Sequence, residues 1–297
     1  MPVRRRKIAA ARRAGLARGM TFAFPSLLEF GLEPAALILT RGFSDYFVPI
    51  QSSPAVLAHM ARVDGVDFAT SRVAVLDGRA VGVALIARRG WTSRLAGMAI
   101  VPEARRHGVG RALMAQLLDE ARARQERAMV LEVIEQNAPA VHLYERCGFQ
   151  KIRRLTGHAG RPATPPADEA LPPPVEIDPR ELAAFVSGHG LRDLPWQIAP
   201  EAIAHAGPPA LAYRAGPSAV LITDPAAPTI GIRALVTATE ARGQGHSRAL
   251  LRALFSRLPG KEWRASAIFP EEMGGAFTAA GLKRTPLSQW QMILPLV

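Results

Sequence analysis

The sequence predicts an α/β (α+β) fold, a mixed central sheet flanked by helices, and it predicts this fold twice. In the front half, apolar runs typical of strands alternate with amphipathic stretches typical of helices. In the rear half, residues 240–254 align with residues 103–117 at a constant offset of 137. Residues 276–282 align with residues 143–149 at an offset of 133, so a four-residue deletion relates the two motifs. We therefore predict an internal duplication whose copies have diverged.

Local signals place the elements of the front copy. Asp77-Gly78 suits the positive φ angles of a tight hairpin turn. Leu113, Leu117 and Ala121 recur at the spacing of one helical face, and Gly148 is placed to end a helix in the left-handed conformation. The predicted elements, in order, are two strands within Val73–Ala87, a strand at Leu95–Val101, a helix at Gly110–Gln125, a strand at Met129–Ile134, a helix at Ala138–Arg146 and a strand at Phe149–Leu155.

Composition divides the chain into four parts. Residues 1–20 form a basic extension with seven Lys or Arg and no acid, and residues 21–155 form the front domain. Residues 156–180 carry seven prolines and are predicted to be an extended surface linker. Residues 181–297 form the rear domain, whose end alternates apolar and polar residues like a terminal strand. Because no clear strand follows Leu155, we expect residues 175–177 or the rear domain to complete the front sheet.

Charge and cysteine content narrow the functional classes. The 297 residues are 48% apolar and carry a formal net charge of +12, which favours acidic partners. The single cysteine, Cys147, excludes an intrachain disulfide, and no apolar run reaches the length of a membrane span of ~18 residues. We therefore expect a cytoplasmic location and no membrane partner. The basic extension could contact nucleic acid or a ribosome through phosphates, or be a solvated or untranslated start before Met20.

A glycine-containing loop precedes the longer predicted helix. Two glycines let the backbone approach a ligand closely, and the N–H groups at a helix start lack partners within the helix. Such a loop can bind a diphosphate, and the neighbouring basic residues add positive charge. It is neither a phosphate loop of the GxxxxGK[ST] type nor a dinucleotide-binding GxGxxG. Its residues, all candidates for cofactor binding, are Arg105, Arg106, His107, Gly108, Val109, Gly110 and Arg111.

A second segment, Leu131–Phe149, indicates what the loop binds. It supplies a strand, Asn137, and Tyr144 seven residues later, ahead of Gly148-Phe149. With Arg105, Gly108 and Gly110, this arrangement resembles the GNAT acyl-coenzyme A N-acyltransferases, and the duplication implies two tandem GNAT folds. The segment is most similar to the branch that acetylates the N-terminal alanine of a ribosomal protein, in which a Leu-Glu-Val strand precedes the Tyr as Glu132 precedes Tyr144.

The resemblance implies acetyl-CoA as co-substrate and gives the residues their roles. Glu132 is the candidate general base, with Glu135 as its competitor, and Tyr144 is the candidate acid for the leaving thiolate. Backbone groups of Met98–Ile100 would pair with pantetheine and polarise the thioester, and Asn137 would hold pantetheine or order the strand end. Each residue also has a structural alternative: packing for Tyr144, a surface strand position for Glu132 and a helix N-cap for Asn137.

The rear copy departs from this pattern. Ser247 replaces the last glycine of its loop, Phe277 stands where Tyr144 stands in front, and Pro270 matches Asn137. Because phenylalanine cannot donate a proton, we predict a degenerate domain that is not the main catalyst. The sequence has no metal-ligand spacing and no G-x-S-x-G elbow, so no metal is expected.

The leading hypothesis is an acetyl-CoA-dependent N-acetyltransferase acting on a primary amine. The alternatives are a ribosome- or nucleic-acid-associated protein and an acyl-CoA-sensing regulator, both built on the same fold. The acceptor, whether a small molecule, a protein N-terminus or a lysine, stays open, as does the oligomeric state. The aromatic residues of the loop at Gly42–Pro49, Phe43, Tyr46 and Phe47, could grip the acceptor or close the core.

Overall fold

The local signals of the front copy form the elements they predict. A computed structural model describes residues 21–162 and 172–297, so the basic extension lies outside the described residues. Asp77 and Gly78 close the hairpin with φ angles of 48° and 79°. The helix Val109–Ala123 buries its predicted apolar face, and Gly148 follows the next helix with a φ of 97°.

The elements alternate as the fold class requires, and the predicted mixed α/β architecture is confirmed. Gly42, at the end of the helix Leu32–Gly42, packs on Ala99, while Gly110 of the helix Val109–Ala123 lies near Met98, so helices cover both faces of the sheet. The described elements are β1 (Phe22–Ala23), α1 (Leu27–Phe30), α2 (Leu32–Gly42), α3 (Pro54–Asp64), β2 (Arg72–Leu76), β3 (Arg79–Arg89), β4 (Thr92–Ile100), α4 (Val109–Ala123), β5 (Ala128–Ile134), α5 (Ala138–Arg146), β6 (Gln150–Gly160), β7 (Val175–Ile177), α6 (Pro179–His189), α7 (Pro200–Ala204), β8 (Leu211–Ala215), β9 (Ser218–Ile222), β10 (Thr229–Thr237), α8 (His246–Arg257), β11 (Glu262–Pro270), α9 (Gly274–Ala280) and β12 (Lys283–Pro295).

All described strands join one sheet, in the order β1-β2-β3-β4-β5-β12-β6-β11-β10-β9-β8-β7. The two copies exchange their last strands: β12, from the rear copy, lies antiparallel between β5 and β6 of the front copy. In the same way β6, from the front copy, lies between β12 and β11. The rear copy therefore completes the front sheet, as one of the two sequence-based expectations proposes. β7 pairs instead with β8 at the far edge.

The strand exchange corrects the predicted linker at its start. Residues 156–160 do not run over the surface, because they continue β6, and Thr156 and His158 are only 1% and 3% exposed. Proline enters only at Pro162, so nothing in these five residues prevents a strand. The middle of the predicted linker, residues 163–171, lies outside the described residues. Among the described residues, no helix combines the length and apolarity needed to cross a membrane.

We expect the two halves to remain associated after the chain is cut between them. Separating them would expose both edges of β12, whose Met292 is fully buried, and would leave β6 without its two neighbours and β5 paired with β4 alone. A specific protease site inserted between residues 162 and 172 allows the cut. Size-exclusion chromatography without denaturant should then give one peak containing both fragments. Two separately eluting, folded fragments would contradict the exchange.

Candidate functional site

The site lies where two parallel strands separate. Thr92–Leu95 of β4 pair with Ala128–Leu131 of β5. Beyond these residues β4 pairs with β3 alone, and β5 pairs with β12 alone. A register shift between β3 and β4 falls at the same place, next to Leu95. The residues beyond this point, Met98 to Ile100, therefore border an opening in the sheet. None of the described strands lies beside their backbone groups on that side.

The glycine loop forms one end of this opening. Gly108 precedes α4 with a φ of 78°, in the left-handed region that favours glycine, and no side chain in the described part of the protein caps the helix. The first N–H groups of α4, from Val109 to Arg111, are consequently available to an anion. At Gly110 a Cβ would lie 3.3 Å from a Leu143 methyl group, so a larger residue would press α4 against α5. This geometry fits the predicted pyrophosphate cradle.

The basic residues of the loop divide into two groups. The Arg105 guanidinium donates to both Asp45 carboxylate oxygens, to the Gly42 carbonyl at 2.9 Å and to the Ile100 carbonyl at 3.1 Å. Its hydrogen bonds to Asp45 lower the pKa of that carboxyl group. Arg105 thus ties the loop after α2 to the end of β4. Arg106, His107 and Arg111 are exposed, whereas the Val109 side chain is buried in the core and can offer a ligand only its backbone N–H.

Tyr144 and Asn137 lie near Tyr46, an aromatic residue of the loop after α2. Tyr144 is 7% exposed and packs edge-on against Phe149. Burial raises the pKa of Tyr144, and the nearby Tyr46 and Cys147 act in the same direction, so the phenol keeps its proton. Burial raises the pKa of Tyr46, and the neighbouring Asn137 side chain acts in the opposite direction. The Asn137 Oδ1 accepts from the Ala140 N–H at 3.4 Å, the N-cap geometry of α5.

Glu132 is the first residue of β5 beyond its last pair with β4. Its carboxylate accepts a hydrogen bond of 2.7 Å from Arg94 Nε, and the two side chains are 3% and 5% exposed. The Trp196 backbone N–H lies 3.4 Å from the other carboxylate oxygen. Glu132 is therefore a buried, ion-paired group rather than a surface strand position. Neither Arg94 nor Trp196 is found by sequence reasoning, because Trp196 comes from the rear copy and Arg94 precedes the predicted strand.

The competing carboxylate, Glu135, has a different environment. It accepts hydrogen bonds from the Ser288 hydroxyl at 2.6 Å and from Arg154 at 2.7 Å. Burial acts to raise the pKa of Glu135, but these two donors outweigh burial and the pKa lies below its usual value. The partners of Glu135 tie the end of β5 to β12 and β6.

The rear copy repeats the opening in matching register. Thr229–Ile232 of β10 pair with Glu262–Ala265 of β11, and beyond these residues the two strands separate. The paired residues of β10 lie 137 positions after the paired residues of β4. Gly245 precedes α8 with a φ of 84°. The Ser247 hydroxyl, at the position of Gly110 in the front copy, contacts the Thr237 hydroxyl at 2.5 Å. Phe277 is fully buried against Phe269.

A cavity of about 540 Å³ lies in the rear opening. The end of β10, the loop before α8 and one face of α9 line it, together with the end of α6. The loop retains Arg242, whose guanidinium donates to the His189 carbonyl. The cavity therefore joins a helix start to an open strand edge, as in the front copy. Within the described residues, no three His, Cys, Asp or Glu side chains are grouped so that they could share a metal ion.

Comparisons with known proteins agree with this geometry. Residues 40–149 match the model of the Acetyltransferase (GNAT) family. The chain is 40% identical over 75 residues to streptothricin acetyltransferase of Streptomyces lavendulae, a match covering 25% of this chain and 40% of the relative. It is 44% identical over 59 residues to the ribosomal protein bS18-alanine N-acetyltransferase of Escherichia coli, covering 19% of this chain and 40% of that protein. The chain thus spans less than half the length of these curated relatives.

The whole chain is similar in fold to a solved structure described as a tandem GNAT protein from the clavulanic acid biosynthesis pathway. The similarity has a TM-score of 0.61 at 18% identity and covers 94% of this chain and 99% of that one. At this identity the comparison concerns the fold alone. The predicted tandem arrangement and the similarity of the front copy to the ribosomal-protein branch are both confirmed.

Proposed function

We propose, starting from a chain whose residues 40–149 belong to the GNAT acetyltransferase family, that the front copy transfers an acetyl group from acetyl-CoA to a primary amine by direct attack. One observation carries the proposal: an uncapped helix start and an open strand edge meet at a strand separation that also holds Glu132. We assign catalysis to the front domain, residues 21–155, and a non-catalytic role to the rear domain, residues 181–297.

The chain's residues would divide the work as follows. The N–H groups from Val109 to Arg111 bind the pyrophosphate, with Arg106, His107 and Arg111 adding charge at the rim. The backbone of β4 from Met98 to Ile100 aligns the pantetheine arm and polarises the thioester carbonyl. Asn137, held by its N-cap bond, orders the end of β5 beside that arm.

Two side chains move protons. Glu132 takes the proton that the amine loses on attack, directly or through water, and Tyr144 returns one to the departing sulfur. The Arg94 guanidinium orients the Glu132 carboxylate from the same face of the sheet. Thiol release from acetyl-CoA, measured across a panel of primary amines, tests the activity. Absence of thiol release with every amine, from protein that binds coenzyme A, would remove the proposal.

Glu132→Gln is expected to lower kcat by about 100-fold, since loss of a general base costs on the order of 100-fold or more. Glu135→Gln serves as the matched control and should keep kcat within about threefold, because the Glu135 carboxylate bonds to Ser288 of β12 and Arg154 of β6, away from β4 and the pantetheine path proposed along it. Steady-state kinetics at saturating acetyl-CoA measure both variants. The reverse result, a loss only in Glu135→Gln, would assign the base to Glu135.

The rear cavity favours a second function, binding of acyl-CoA without transfer. It has the volume of a small-molecule site, and its helix start repeats the front cradle. The chain then carries a catalytic site and a sensing site for one ligand. Under this second proposal, the rear copy of the enzyme carries the acyl-CoA-sensing function that the sequence analysis gives as an alternative.

Calorimetric titration with coenzyme A separates the two sites. We expect two ligands per chain, reduced to one by Gly108→Val and to one by Gly245→Val, because valine strains the left-handed backbone at each cradle. Only Gly108→Val should abolish thiol release. A single ligand in the wild type, unaffected by Gly245→Val, would contradict the sensing site.

A further inference from the structure

A segment of the rear copy, between α6 and α7, crosses onto the front copy. We call residues 192–197 the crossing segment. Arg153 of β6 donates to the Arg192 carbonyl at 3.2 Å, and the Gln291 side chain of β12 donates to the Asp193 carbonyl at 3.0 Å. Two side chains of the central sheet therefore hold the crossing segment by its backbone.

Trp196 of the crossing segment is held at both its side chain and its backbone. It is 7% exposed and packs into the apolar core of the front copy. Its indole N–H donates to the Asp64 carbonyl, at the end of α3, at 2.6 Å. The Arg89 guanidinium, at the end of β3, donates to the Trp196 carbonyl at 2.9 Å and lies 4.2 Å from the centre of the indole ring. Trp196 therefore cannot move without breaking contacts with two elements of the front copy.

The position of Trp196 gives the Glu132 carboxylate a second donor. Glu132 Oε2 accepts a hydrogen bond of 2.7 Å from Arg94 Nε, and the Trp196 backbone N–H lies 3.4 Å from Glu132 Oε1. The first bond is short and charge-assisted, whereas the second is long for an N–H···O bond. The two oxygens therefore differ, because Arg94 binds Oε2 firmly and Oε1 keeps more of its capacity to accept a proton.

Arg94 alone does not fix the plane of the Glu132 carboxylate. The two side chains share one hydrogen bond, which lets the carboxylate rotate about its last side-chain bond, as a bidentate pair would not. The Trp196 N–H contacts the other oxygen and restricts this rotation. A general base must lie within hydrogen-bond reach of the proton that it takes, and a misplacement of about 1 Å can cost on the order of 100-fold in rate. The orientation of Oε1 therefore bears directly on the transfer step.

We propose that Trp196 is a positioning residue for the front site. Held by Asp64 and Arg89, it fixes the plane of the Glu132 carboxylate so that Oε1 receives the proton of the amine. The proposal rests on the proposed function, in which Glu132 is the base. Because Trp196 comes from the rear copy, the rear domain completes the front site even though it is not catalytic itself.

Trp196→Phe removes the indole N–H donor and keeps an aromatic ring beside Arg89. We expect kcat to fall about tenfold. The KM for acetyl-CoA should not change, because none of the hydrogen bonds of Trp196 in the described part of the protein involves the loop before α4. Arg89→Met frees the Trp196 carbonyl from the opposite side of the contact and should give the same pattern.

The matched control is Trp263→Phe, at a second buried tryptophan of the rear copy, which packs on Phe255. It should leave both kcat and the KM for acetyl-CoA unchanged. Thermal unfolding checks that each variant is folded at the assay temperature. An equal loss of kcat in Trp263→Phe would show that any damage to the rear core lowers the rate, and the positioning role would fail.

A kinetic double-mutant cycle separates positioning from a merely structural role. In a Glu132→Gln background, Trp196→Phe should change kcat by less than about twofold, because the group that it positions is already lost. A further tenfold loss in that background would overturn the positioning role and leave the transferase in place. An unchanged kcat in Trp196→Phe alone would do the same.

The same four proteins give a test that does not depend on activity. The effects of Trp196→Phe and Glu132→Gln on the free energy of unfolding, measured by chemical denaturation, should not be additive, because the two residues are in contact. Additive effects would contradict the contact and with it the positioning role. Non-additive effects in a protein that releases no thiol with any amine would confirm the contact but remove the transferase, and the positioning role with it.

Discussion

Tyr144→Phe is expected to lower kcat by about 10²–10⁴-fold, the range for loss of a positioned general acid. The substitution removes one hydroxyl and keeps the ring that packs on Phe149. Because burial raises the pKa of Tyr144 above its ordinary value of about 10, the wild-type phenol is protonated at every pH below that value. The wild-type kcat should therefore show no alkaline loss from this group up to about pH 10.

The matched control is Tyr213→Phe, in the rear copy, where the tyrosine is likewise buried, at 4% exposure. It should leave kcat and the KM for acetyl-CoA unchanged. Thermal unfolding of both variants confirms that they are folded. If Tyr144→Phe retains full kcat, the tyrosine is a packing residue and water supplies the proton.

Arg94→Met should lower the free energy of unfolding by about 3–5 kcal/mol, because it leaves the Glu132 carboxylate buried without its cation. Both side chains are at most 5% exposed, so solvent cannot replace the lost partner. Chemical denaturation monitored by circular dichroism measures the effect. The double variant Arg94→Met/Glu132→Leu should recover much of the loss, since it removes both charges together.

An exposed pair is the control for this prediction. Arg41 pairs with Glu103, and their side chains are 53% and 60% exposed. Arg41→Met should change stability by less than about 1 kcal/mol, as for other surface pairs. If Arg94→Met costs no more than Arg41→Met, the buried pair does not stabilise the fold. A double variant that is less stable than either single variant would also contradict the prediction, because removing both charges together would then recover no stability.

Local structure could be predicted because its causes lie within a few residues. The turn at Asp77-Gly78, the apolar face of α4 and the helix stop at Gly148 all depend on neighbours in the sequence. The length of β6 could not be predicted in this way. Its residues 156–160 carry few apolar side chains, and they become a strand because β11 and β12 supply backbone partners from the rear copy.

The site likewise combines features that depend on nearby residues with features that depend on distant ones. The glycine loop and Tyr144 follow from motif spacing. The surroundings of Glu132 do not, because Arg94 lies on another strand and Trp196 lies 64 residues away in the rear copy. The contact of Tyr46 with Asn137 likewise joins distant segments, and nothing in an aromatic-rich loop distinguishes it from core packing. Contacts between the two copies could not be predicted from the sequence of either copy alone.

The exchanged strands also set the order of events during synthesis. β12 follows every other strand in the sequence, yet it is the neighbour of β5, which carries Glu132. A ribosome that has made only the first copy has made all of the proposed proton-transfer residues without the strand that holds them. We therefore expect a chain that lacks residues 283–295 to release no thiol from acetyl-CoA, because β5 and β6 then lack the strand that lies between them.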